Sequence, residues 1–243
     1  MYWGFFDPLY LLLFLPVMAV GMACSAWVRS SFKKWNQVET SNHLTGAEAA
    51  RRILAAQGIE NVPVEEVPGE LTDHYDPSKR VVHLSSPVFH GDTVAAVGVA
   101  AHECGHAIQH AHAYAPLAFR RLMAPGVMLG QGFSWILFII AVALFSFGNR
   151  TGAYWFTLLG LSCIALMLLF ALVTLPVEFD ASFRAMGQLR TLGLLNEGEL
   201  TGVRKVLTAA GMTYVVGAVQ ALVTLLYFLI RFGPLLAGGR SRD

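Results

Sequence analysis

The segment AAHECGHAIQH sets two histidines, His102 and His106, four residues apart. On a helix that spacing puts both rings on one face, where together they can grip a single metal ion. Glu103 lies beside the first histidine. It is angled away from direct ligation but close enough to reach a water held by the metal. Zinc in such a setting lowers the pKa of that water, and a neighbouring carboxylate can take the proton and later deliver it to a leaving amine. The chemistry encoded is hydrolysis of a peptide bond. Small residues, Ala100, Ala101, Gly105 and Ala107, surround the pair and permit close approach by another element.

A catalytic zinc needs a third protein ligand and a fourth position left open to water. His112 follows His102 by ten residues, the spacing of the extended H-E-x-x-H-x-x-G-x-x-H pattern. That pattern needs a glycine where the helix turns back, and Gln109 stands there. With the helix continuing, His112 points off the ligand face. Glu178, in LPVEFDASFRA, is the better candidate and completes a His2Glu set; its competing role is a helix cap after Pro176. Asp180 could orient a ligand imidazole through its second ring nitrogen or cap the following helix. Arg184 could neutralise nearby carboxylates, hold substrate oxygens or meet a lipid phosphate. His110 and His112 read as surface or supporting residues. Cys104 faces away from the ligand pair, which disfavours a cysteine nucleophile.

The elements that position these groups are unusually apolar. Only 14% of the 243 residues are charged, against about 25% in soluble domains, and 55% are hydrophobic. Mean hydropathy is +0.54. Such a chain cannot cover a soluble surface, which excludes an ordinary soluble enzyme and a disordered chain. The net charge of +1 provides no field for a polyanion, so no nucleic-acid partner is expected. Three cysteines form no disulfide framework.

Four charge-free stretches, 8–28, 122–149, 151–177 and 206–230, can each hold the roughly 20 helical residues that cross a bilayer. Helices are expected near 8–28, 127–147, 153–175 and 212–230. The first has no basic residues before it and reads as a retained anchor rather than a signal peptide. With the N-terminus outside, thirteen Lys and Arg residues fall in the cytoplasmic segments 29–126 and 178–211 and four fall outside. The positive-inside rule favours that orientation.

Within 29–126, Thr45 and Glu48 form a capping box for a helix that Gly58 ends. VPVEEVPG is extended, DHYDPSKR is a turn, and RVVHLS is a strand. That strand is expected at an edge beside the metal helix, where an extended peptide could pair with it. His74 or His83 could then donate to an oxyanion. Asp92 or Thr93 caps the metal helix, which should run to about Tyr114.

Four pieces, LTGAEAARRIL, DHYDPSKRVVHLSSPVFHG, AAVGVAAHECGHAIQHA and TLPVEFDAS, occur in this order along the chain. Together they resemble the bacterial membrane-bound neutral zinc metallopeptidase family, often called YugP-like. The resemblance implies His102 and His106 as metal ligands, Glu103 as catalytic carboxylate and Glu178 as third ligand. The family often has Asn at the position of Asp180. Soluble gluzincins often read E-x-x-x-D, whereas here the fourth position after Glu178 is Ser182.

The reading is a mainly α integral membrane protein with about four transmembrane helices and a cytoplasmic zincin-like metallopeptidase domain containing a small β element. Its parts are an anchor at 1–28, the HExxH region at 29–126, two membrane helices at 127–177, a segment at 178–211 supplying the third ligand, and a last membrane helix and tail at 212–243. The expected activity is Zn2+-dependent endopeptidase cleavage of membrane-associated proteins or peptides at the cytoplasmic face of the bacterial plasma (inner) membrane. Membrane-protein partners or a homo-oligomer are compatible with it. The alternative is a non-catalytic zinc-binding scaffold or quality-control adaptor.

Overall fold

The computed structural model describes residues 7–238. Its elements are α1 (Pro8–Trp35), α2 (Gly46–Ala56), β1 (Val64–Val67), β2 (His74–Asp76), β3 (Val81–Ser85), α3 (Ser86–Phe89), α4 (Val94–Ala111), α5 (Ala115–Ser146), α6 (Arg150–Thr191) and α7 (Glu197–Gly238). The chain divides into two compact units. One takes the N-terminal residues through Met22, Phe119–Thr174 and Val215 onward; the other takes Ala23–Ala118 and Leu175–Tyr214.

The first unit contains most of the apolar helix. α1, α6 and α7 are long and apolar enough to cross a bilayer, and α5, bent by 45° between Ala115–Gly130 and Gly132–Ser146, supplies a fourth span if taken whole. Large apolar side chains stand in the open: Leu12 is 71% exposed, Met128 78% and Phe147 88%. That is costly in water and natural against lipid. Phe138, Phe228 and Phe232 form its aromatic centre, with Phe138 and Phe228 stacked at 4.4 Å. Asp7 is buried there, accepting from Tyr227 Oη at 3.1 Å with Arg231 Nε at 3.5 Å.

The second unit holds a conventional core. Ile53 and Leu54 of α2, Val82 and Leu84 of β3, Val97 and Ala100 of α4, Leu189 of α6 and Val203 of α7 meet in it. The Thr45–Glu48 capping box starts α2, and Gly58, at φ +67°, follows its end. Thr93 caps α4 through the amide of Ala96. Asn196 and Glu199 cap α7 reciprocally, at 3.0 and 2.8 Å.

Two expectations need correction. RVVHLS is not an edge: β3 is the middle strand, parallel to β1 and antiparallel to β2. Its backbone groups on both sides are taken, so no substrate strand can add to it. The extended VPVEEVPG and the turn DHYDPSKR each contribute a short strand, too brief to show period-2 alternation. The long helices also run beyond the expected spans. α6 passes through Pro176 to Thr191, because Val177, Ala181, Ala185 and Leu189 recur every fourth residue and are fully buried. α4 ends at Ala111, short of Tyr114, and Pro116 sits in the first turn of α5, where its missing N–H costs nothing.

Candidate metal centre

α4 is buried over most of its circumference, leaving His102 and His106 turned towards α6. Nε2 of His102 lies 3.3 Å, and Nε2 of His106 3.6 Å, from Oε2 of Glu178. The three ligand atoms all fall within 4.8 Å of one another. Glu178 is mid-helix, so it caps nothing. The close approach has a backbone cause. A methyl added at Gly105 would collide with the carbonyl of Ala181, one turn from Glu178.

Each imidazole is held from behind. His102 Nδ1 meets Ser182 Oγ at 3.1 Å. His106 Nδ1 meets Gln109 Oε1 at 3.0 Å. The Gln109 amide is fully buried and its orientation is fixed, because Nε2 donates to Val177 O at 2.7 Å and to Asp180 Oδ2 at 2.9 Å. Its Oε1 must therefore accept, and His106 must carry a proton on Nδ1. That leaves Nε2, which faces Glu178, as the nitrogen that can hold a metal once its own proton is lost. Asp180 also accepts from Arg184 Nε at 2.6 Å, which completes a chain from His106 through Gln109 and Asp180 to Arg184. Asp180 thus reaches the imidazole through Gln109 rather than directly.

Burial pushes the carboxyl of Glu178 up, but the facing imidazoles of His102 and His106 outweigh it and hold the group well below the usual carboxylate range. Burial likewise works against a charged His106, while Glu178 and Glu103 raise its pKa. The cluster is short of positive charge. Two imidazole nitrogens and one carboxylate in this spacing fit a tetrahedral divalent ion with one position left open.

Glu103 lines a cavity of about 180 Å³ together with His102, Glu178 and Ser182, with Val99 and Val206 among its apolar lining. The residue is 8% exposed and stands beside the ligand cluster without belonging to it. The remaining candidates lie elsewhere. His112 follows the end of α4 and takes Arg184 Nη1 on its Nδ1 at 3.3 Å. His110 meets Tyr75 Oη at 2.8 Å. The His74 and His83 rings lie 4.8 Å apart, tilted by 37°, within the sheet and do not line this cavity. Cys104 is fully buried, which pushes its thiol up and leaves it inert as a nucleophile. Gln109 has a larger part than its sequence position suggested. Its only signal was negative, the absence of a turning glycine.

A family profile described as "Putative neutral zinc metallopeptidase" matches residues 10–233. The chain belongs to that family. It is also similar to "Putative membrane protease YugP" of Bacillus subtilis (strain 168), 44% identical over 224 residues that cover 91% of this chain and 96% of the relative. No solved structure matches. Family membership and the His-His-Glu cluster together make the protein a zinc-dependent metallopeptidase rather than a non-catalytic scaffold, with Zn2+ as its cofactor. Its apolar helices make it a multi-pass membrane protein with a mainly α fold and a small β element.

Proposed function

We infer that His102, His106 and Glu178 hold the zinc and that Glu103 is the general base and acid of peptide hydrolysis. The observation that carries this is the convergence of two Nε2 atoms on a buried carboxylate oxygen while both Nδ1 atoms are engaged behind. When bound, zinc supplies Lewis-acid polarisation and acidifies water in the cavity. Ser182 and Gln109 keep the two rings in register. Glu103 accepts a proton on its carboxylate and returns it to the departing amine nitrogen.

The substrates are membrane-associated polypeptides, such as tails and juxtamembrane segments, cut at the cytoplasmic face of the plasma (inner) membrane. Supporting that side is the excess of Lys and Arg in 29–126 and 178–211, the HExxH region and the segment bearing Glu178. A cysteine introduced near position 60 should then resist impermeant labelling in intact cells; ready labelling inverts the orientation. For the chemistry, Glu103→Gln should keep its zinc and lose about 10²–10⁴ in kcat. Equal proteolysis by wild type and variant would remove Glu103 from the reaction.

A further inference from the structure

A second cavity, of about 430 Å³, runs between α6 and α7 and is walled by Phe179, Phe183, Met186 and Leu207, with Arg190 and Arg204 beyond. Ser182 and Leu207 line both this cavity and the one that holds His102 and Glu103. The groove therefore adjoins the metal centre through these two residues, and Ser182 Oγ is 3.1 Å from His102 Nδ1. On α6 the positions 179, 183, 186 and 190 share one helical face. Gly187 on the same wall adds no bulk, and a methyl there would meet open space.

The walls carry unspent binding capacity. Phe183 is 78% exposed and Phe179 44%. Arg190 is already engaged by Glu197, with both contacts at 3.1 Å. Arg204 has no ion-pair partner among the described residues. Ser182 and Arg190 are separated by about 12 Å of helix at roughly 1.5 Å per residue. An extended peptide covers that distance in about four residues.

We propose that this groove binds the substrate polypeptide on one side of the scissile bond. It selects bulky apolar side chains next to the bond and an acidic group, a side-chain or C-terminal carboxylate, at Arg204 within the next few residues. The proposal rests on the peptidase reading of the adjoining centre. A lipid could satisfy the same apolar walls and cation. An occupant that reaches Ser182 also reaches the reacting centre, however, and the chemistry there acts on peptides.

Binding can be separated from cleavage by using the full-length, zinc-loaded Glu103→Gln protein in zwitterionic nanodiscs. Fluorescence anisotropy would follow labelled ten-residue peptides carrying three apolar residues and then Asp, three Ser and then Asp, or three apolar residues and then Lys. The first should bind about tenfold more tightly than either of the others. Adding Arg204→Glu should reverse the Asp-over-Lys preference, and Arg204→Lys should keep it. Adding Phe183→Ser should erase the apolar-over-Ser preference, with zinc content unchanged in all three. Unaltered preferences in Arg204→Glu and Phe183→Ser would overturn the proposal. So would variants that change retention on anionic-lipid vesicles but not peptide affinity, which would make the groove a lipid site. Selective binding with no cleavage by the Glu103-intact enzyme would sink the hydrolase reading and leave the groove standing.

Discussion

His102, His106 and Glu178 bring three ligand atoms within 4.8 Å of one another, and so do Glu39, His43 and Asp92. By distance alone the two groups are equivalent. In the first, the side chains are between 3% and 16% exposed, and each ring has its second nitrogen held by a named partner. In the second, His43 is 71% exposed and Glu39 69%. The His43 nitrogen facing the carboxylates is Nδ1, bound to Asp92 at 3.0 Å, and its Nε2 has no partner among the described residues. Proximity of ligand types is easily reached on a polar loop. What distinguishes the buried group is desolvation together with hydrogen bonds that hold both rings and, at His106, settle which nitrogen faces the carboxylate.

The sharpest way to break this contrast is Glu178→Ala. Bound zinc measured by mass spectrometry should fall from about one per chain to near zero, with proteolysis lost alongside. Full retention of zinc, with loss in His112→Ala instead, would reverse the ligand assignment. Gln109→Ala should be milder, weakening zinc by about 10–100-fold in competition with a chelator. Its side chain never touches the ion, so an unchanged affinity would mean that the buried amide only packs. Ser182→Ala should sit at the lower end, about tenfold, because a hydroxyl can donate or accept and fixes the ring less firmly than an amide locked by two acceptors. The double variant His43→Ala, Asp92→Asn should leave zinc content and proteolysis unchanged. A measurable loss there would make the exposed group a second metal site and erase the distinction.

The histidine pair was legible in the sequence because helical spacing is local: a pair at i and i+4 needs no knowledge of the rest of the chain. Glu178 could be proposed from its residue type, its place after an apolar span and family resemblance. Gln109 could not, because its importance comes from Val177 and Asp180, about seventy residues away. The sheet was hidden for a similar reason. Three and four residues carry too little alternation to announce β2 and β1, and their pairing with β3 is set by tertiary packing. That same pairing closed the edge expected to receive a substrate strand. Among the helices, the membrane cores were plain from the missing charges. Their extensions were not, since Val177, Ala181, Ala185 and Leu189 look like ordinary residues among charged neighbours until they are counted in fours.

The contact between Gly105 and the Ala181 carbonyl sets the width of the metal site by main-chain atoms. Zinc and larger, harder cations differ in the ligand span they demand. Adding one methyl at position 105 would push the helices apart and loosen the grip on a small tetrahedral ion before it disturbed a larger one. The helix spacing at the metal centre is thus held by a residue that has no side chain and lies outside the ligand cluster.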